Sequence, residues 1–348
     1  MTNVLGAFAR GAVLLVSFLL LVLPTATASS LLGKITGGTL NTAEAVVQPI
    51  IDPITGALSL PDGGLQHTLI RLDGTYLVTA PGTVGYQQTI TVDGVERSFV
   101  ALRPDPAPPS APVLLLLHGN SGTPANMANL AEVSDFVATQ GFWAVMPAAL
   151  NGVWGDDPST DSDADVRFIS QLIDTLIAAG GMDSTRIYAS GLSNGGFMTE
   201  RLSCELSDKI AAFAMVAATL RTGLEQSCAP AIQRPKLFIL GTADPIVPYR
   251  GVANIESADS AVSFWAAQQG CITPSTTRVP NTVNDGTSID LQTYESCSSG
   301  ADLRLYTVNG GGHAWPGGWQ YLPVPVIGAT SQNLIATGVI WAFDSDSP

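Results

Sequence analysis

From residue 113 onward the chain alternates short, unbroken apolar runs with longer amphipathic ones. Residues 113–117, 142–147, 186–189, 210–217, 237–240 and 303–308 read as strands, most of them apolar throughout and so buried on both faces. Between or after them, residues 125–139, 163–179, 194–206, 257–269 and 332–343 follow helical spacing. Such alternation predicts an α/β protein with a mostly parallel central sheet and helices on both faces. Upstream the period changes to two: residues 88–92 and 96–102 flank Asp93-Gly94 and predict a β-hairpin. The proline-rich stretch 104–112 is read as a loop leading out of it, and no internal repeat is present.

The first residues obey a different logic. Arg10 precedes the apolar run 11–23, and Ala26-Thr27-Ala28 supplies small residues for cleavage. The run is shorter than the roughly 20 apolar residues a spanning helix needs, so residues 1–28 are expected to be a signal peptide. Residues 29–82, rich in Gly, Thr and Pro, are expected to form a lead-in of no assignable role, and residues 83–348 the single main domain. With 348 residues, 46% of them hydrophobic, one core of ordinary size is expected. The 15 Lys and Arg against 29 Asp and Glu leave a net charge of -14, which repels phosphate backbones and anionic lipid surfaces. Neither a nucleic-acid partner nor stable membrane insertion is expected.

An even number of cysteines behind a signal peptide points to disulfides. Of the three pairings open to Cys204, Cys228, Cys271 and Cys297, the two local ones, Cys204 with Cys228 and Cys271 with Cys297, are expected. No Cys-x-x-Cys occurs, and His67, His118 and His313 are far apart, so neither a metal nor another cofactor is expected.

Chemistry concentrates at four places. Gly191-Leu192-Ser193-Asn194-Gly195 lies between the strand 186–189 and the helix from 194, the strand–turn–helix setting of a nucleophile elbow. A serine hydroxyl needs a base, and the base needs an acid that fixes its tautomer. His313 is the sole histidine after Ser193, and the glycines at 310–312 are expected to let its loop swing the imidazole to the serine. Asp244, directly after the buried strand 237–240, is the expected acid; Asp290 and Glu295 follow no core strand of the parallel sheet. The backbone amides of Asn120, in His118-Gly119-Asn120, and of Asn194 are the candidate oxyanion donors. His118 is given a structural part. Trp315 and Tyr249 are the candidate substrate-pocket residues, ahead of Trp154, Trp319 and Phe197. The cluster Asp156, Asp157, Asp161, Asp163 and Asp165 lacks the spacing of a calcium loop and is read as a solvated loop and helix N-terminus.

These motifs, with Leu117-His118-Gly119, Gly241-Thr242-Ala243-Asp244-Pro245 and Gly311-Gly312-His313-Ala314-Trp315-Pro316-Gly317, resemble the secreted α/β-hydrolase esterases known as poly(3-hydroxybutyrate) depolymerases, which are similar to feruloyl and acetylxylan esterases. The resemblance covers the chain from about Tyr86 on. It implies Ser193 as nucleophile, Asp244 as acid and His313 as base, and it also favours the two local disulfides. Many polymer-degrading relatives carry a linker and a substrate-binding domain after the catalytic one, which is not expected here, and residues 151–165 depart from the expected Trp- and Asn-containing stretch. The expected activity is extracellular or periplasmic hydrolysis of a carboxylic ester through an acyl-enzyme, with a polyester as first substrate and feruloyl or acetyl polysaccharide esters as the alternative. Acyl transfer to a sugar and a non-catalytic binding protein of the same fold are the rival readings. Oligomeric state is not legible.

Overall fold

The computed structural model describes residues 50–51, 58–59, 67–72, 75–294 and 296–346. The expected signal peptide, most of the lead-in and Glu295 lie outside the described residues. All that follows belongs to the unit Ile50–Pro348.

The centre is a ten-stranded sheet of β1 (Thr83–Val92), β2 (Val95–Pro104), β3 (Ala111–Leu117), β4 (Trp143–Pro147), β5 (Met182–Leu192), β6 (Ala212–Val216), β7 (Lys236–Gly241), β8 (Ser275–Val279), β9 (Ser288–Tyr294) and β10 (Leu303–Asn309). Their spatial order is β1-β2-β4-β3-β5-β6-β7-β10-β9-β8. The strands from β4 to β10 in that order run parallel, and antiparallel pairs close both edges. The β1–β2 hairpin turns at Asp93-Gly94, with Val92 opposite Val95. A small sheet of Thr68–Leu72 with Thr75–Thr79 precedes it.

Strand side chains alternate between two buried layers, as the period of two requires. Val113, Leu115, Ile187, Phe213 and Phe238 face one layer, beneath α3 (Ala164–Ala179), α4 (Asn194–Glu205) and α6 (Ala258–Gln269), once α1 (Pro124–Leu130) and α2 (Val133–Gln140) are counted on the other side. Leu114, Leu116, Ala214, Leu237 and Ile239 face that other layer, which also takes the last helix, α8 (Ala336–Asp346). The short helices α5 (Thr222–Ser227) and α7 (Val324–Ile327) lie in connections.

The helix expected over 125–139 is broken in two. Glu132 adopts φ 49°, in the left-handed region, between α1 and α2. The break leaves Asn129 at the end of α1, where its side chain donates to the Tyr76 carbonyl at 2.6 Å and accepts the Val78 N–H at 2.9 Å. Strands β8 and β9 extend the sheet beyond the sequence reading: β8 is exposed along nearly all its length, and β9 fully buries only Ile289. Disulfides join Cys204, near the end of α4, to Cys228, just after α5, and Cys271 to Cys297.

Candidate active site

Brought together at the carboxyl end of the parallel strands are the loops after β3, β4, β5, β7 and β10. Ser193 follows β5 directly and opens α4 with φ 56° and ψ -122°, a strained conformation for a residue with a side chain. Packing enforces that turn. A Cβ on Gly191 would strike the Gly195 carbonyl, and one on Gly195 would strike the carbonyl of Leu117. The Ser193 N–H donates to Val216 O at 2.9 Å, and its carbonyl accepts the Phe197 N–H at 2.9 Å, so the backbone is held on both sides. The side chain is left half-buried at the start of a helix.

Asp244 and His313 come from the ends of adjacent strands, β7 and β10. His313 Nδ1 lies 2.7 Å from Asp244 Oδ2, with both side chains almost wholly shielded from water. Asp244 Oδ1 accepts the N–H groups of Ile246 and Val247, each at 2.8 Å, so the carboxylate is oriented before it meets the imidazole. With the carboxylate as acceptor, Nδ1 carries the proton and Nε2 keeps its lone pair.

The loop of His313 is built for close packing rather than swinging, contrary to expectation. Its N–H donates to Ile327 O at 2.5 Å, and its carbonyl accepts the Tyr321 hydroxyl at 2.9 Å. Gly312 sits where a Cβ would strike the Ile327 carbonyl, and Gly241 where one would strike the carbonyl of Gly311. These glycines permit close approach of backbone to backbone.

Asn194, in the first turn of α4, has an amide with no carbonyl one turn earlier in the helix to receive it. Asn120 is exposed on the loop after β3, next to Gly119, whose Cα faces Ser193 closely enough that an added Cβ would lie 3.5 Å from the serine Cβ. His118 is fully engaged elsewhere: Nδ1 donates to Gly119 O at 2.8 Å and Nε2 accepts the Ala149 N–H at 3.1 Å. Burial lowers its pKa, in keeping with a neutral ring that holds the loop.

The aromatic candidates fall differently. Trp315 is 1% exposed and donates Nε1–H to Thr337 Oγ1 at 3.0 Å, so it is a core residue under the histidine loop and not a pocket wall. Tyr249 is half-buried against the core, with its hydroxyl 3.1 Å from Thr307 Oγ1. Trp154 and Phe197 are buried. The acidic cluster is also corrected: Asp156, Asp157 and Asp165 are buried rather than solvated. Arg97 donates to Asp165 at 2.6 Å and Arg201 to Asp163 at 2.6 Å, while Asp156 meets Arg221. Charge spacing alone carried no trace of these distant arginines.

No family model matches the chain. It is 28% identical over 319 residues to a protein named as an esterase, NocK, of Nocardia uniformis subsp. tsuyamanensis, covering 83% of this chain and 90% of that one. It is 31% identical over 221 residues to feruloyl esterase B of Piromyces equi, covering 59% of this chain and 40% of that one. Poly(3-hydroxyoctanoate) depolymerase of Pseudomonas fluorescens is 23% identical over 202 residues, covering 50% and 73%. Among solved structures, an acetyl xylan esterase from Aspergillus awamori superimposes with a TM-score of 0.52 at 13% identity, over 66% of this chain and 94% of that one. The fold is thus that of the α/β-hydrolases, and the relatives are esterases.

Proposed function

We propose that this α/β-hydrolase, a serine ester hydrolase by relationship, works through Ser193, His313 and Asp244 and acts on an aliphatic polyester outside the cell. The observation that carries the reading is the shielded His313–Asp244 pair, with a strained serine on another loop at the same carboxyl end of the parallel strands. Ser193 Oγ attacks the ester carbonyl carbon while His313 Nε2 takes its proton, and the imidazolium so formed is stabilised by Asp244. The carbonyl oxygen becomes an oxyanion that accepts the amides of Asn120 and Asn194. On collapse the carbon–oxygen bond to the alcohol breaks, and His313 returns the proton to the leaving oxygen. Water, deprotonated by His313, then cleaves the acyl-enzyme and frees Ser193.

The polyester reading is supported by aliphatic side chains exposed on the loops at this edge: Leu150 and Val153 after β4, Ile246 after β7, and Leu322, Val324 and Val326 after β10. They would meet water-insoluble acyl chains through apolar contact without asking for hydrogen bonds. An extracellular or periplasmic setting is supported by the two disulfides, which persist in oxidising compartments. Among the described residues no helix is long and apolar enough to cross a membrane.

A second reading, release of feruloyl groups from polysaccharide, is favoured by the 31% identity to the Piromyces esterase. Clearing of a poly(3-hydroxybutyrate) suspension, compared with ferulate release from methyl ferulate, decides between them. Clearing without ferulate release supports the polyester; the reverse supports the second reading.

A further inference from the structure

The side chain of Asn194 makes three hydrogen bonds of its own. Its Oδ1 accepts the Trp154 N–H at 2.8 Å and its Nδ2 donates to the Trp154 carbonyl at 3.0 Å, so the amide pairs with the Trp154 backbone as a neighbouring strand would. Nδ2 also donates to Asp156 Oδ2 at 2.8 Å. On its other side Asp156 receives Arg221, with Nε 3.2 Å from Oδ1 and Nη2 3.0 Å from Oδ2. The guanidinium of Arg221 lies 4.3 Å above the ring of Phe197, one turn into the helix that Ser193 opens.

Trp154 carries the connection onward. Its Nε1–H donates to the His118 carbonyl at 2.9 Å, and its ring lies 5.2 Å from the His118 ring. The nearby Gly152 carbonyl accepts the Ser121 N–H at 2.8 Å. Asn120 therefore sits in the chain between two residues, His118 and Ser121, that are both tied to the segment 152–154. That segment is tied in turn to the side chain of Asn194.

We propose that Asn194, through its side chain, and Asp156 with Arg221 form a positioning relay that sets the spacing between the backbone amides of Asn120 and Asn194. This rests on the reading of those two amides as the oxyanion hole. Oxyanion donors act by being held in place before charge develops, so their value depends on a rigid spacing. Asp156 is buried and Arg221 half-buried, and together they hold Asn194 Nδ2 in one geometry through three hydrogen bonds to the Asp156 carboxylate. Burial pushes the Asp156 carboxyl above its ordinary range, while Arg221 and Asn194 draw it back toward the ionised form that can accept from both.

The test uses Asp156→Asn, which keeps the shape and removes the charge, and Asn194→Ala, which keeps the backbone amide and removes the side chain. Readouts are kcat and KM on p-nitrophenyl butyrate and the affinity of a trifluoromethyl ketone, whose serine adduct carries an oxyanion. Losing one donor outright costs about 10²–10³ in kcat, so misplacing one is expected to cost about 10- to 100-fold. KM should stay within about threefold and the ketone should weaken in parallel with kcat. A purely structural role would lower the melting temperature without moving that parallel. Should Asn194→Ala fail to fold, the near-isosteric Asp156→Asn still decides. Folded variants with parental kcat and ketone affinity, or with a change in KM alone, overturn the relay. A parent protein inert to both ester and ketone overturns the functional reading beneath it.

Discussion

His313 Nδ1 rests 2.7 Å from Asp244 Oδ2, at the ends of two adjacent parallel strands, with both side chains almost wholly shielded from bulk water. The carboxylate is not free to choose its orientation, because the amides of Ile246 and Val247 already bind its other oxygen. This arrangement selects one imidazole tautomer, and the first prediction tests it. Asp244→Asn keeps the shape but presents a donor to Nδ1, turning the ring to the tautomer with Nε2 protonated. The expected result is a fall of about 10⁴ in kcat with little change in KM. Steady-state kinetics on a short-chain aryl ester check it; a fall of less than tenfold would speak against Asp244 as the acid.

The elbow depends on missing side chains. In Gly195→Ala the new methyl would meet the carbonyls of Leu117 and His118, backbone groups of β3 and its loop that have nowhere to go. The expected cost is about 1–3 kcal/mol or more, as for overpacked cores, with activity lost because Ser193 moves with the turn. Urea unfolding followed by tryptophan fluorescence measures the first and ester turnover the second. A variant as stable and active as the parent would contradict the packing described.

How much of this was legible beforehand depended on the range of the interaction. Strands β3, β7 and β10, and the hairpin at Asp93-Gly94, announce themselves through local apolar runs and turn chemistry, and the residues around Ser193, Asp244 and His313 stand immediately after such strands. What stayed hidden was settled by distant partners. Asp156 looks solvated until Arg221 arrives from far along the chain, and Glu132 looks helical until Asn129 is needed at Tyr76 and Val78. The glycines before His313 gave a real signal that was misread as mobility, since close packing and flexibility call for the same residue.

Glu200 and Lys236 are both fully buried on the α4 side of the sheet. Burial raises the Glu200 pKa from 4.5 to about 8, although Trp265 Nε1–H donates to Oε1 at 2.9 Å. The folded chain therefore keeps this proton at pH values where the unfolded chain has lost it. Unfolding releases the proton, so stability falls as pH rises from the ordinary carboxyl range towards 8. Lys236, lowered by burial to about 7, acts with the opposite sign only above that pH. Glu200→Gln retains an acceptor for Trp265 and should flatten the decline between about pH 5 and 7. Chemical denaturation at several pH values tests this; an unchanged slope would show that Glu200 is ionised in the fold.

The disulfide between Cys204 and Cys228 ties α4 to the connection after α5 across a sequence separation of 24. Replacing both cysteines by serine should lower stability by about 3 kcal/mol, chiefly by freeing the unfolded chain. Below the lowered melting temperature kcat should remain close to the parent's, because the bond lies at the far end of α4 from Ser193. Thermal melts and kinetics on the double variant check both halves.

The central claim is that Ser193 is the nucleophile, and Ser193→Ala, paired with fluorophosphonate labelling of the parent, tests it most directly. The account predicts that the parent is labelled at Ser193 and that the variant, folded and with an unchanged melt, loses labelling and about 10⁴- to 10⁶-fold in kcat. A folded Ser193→Ala protein that still hydrolyses the ester at a substantial rate would contradict it.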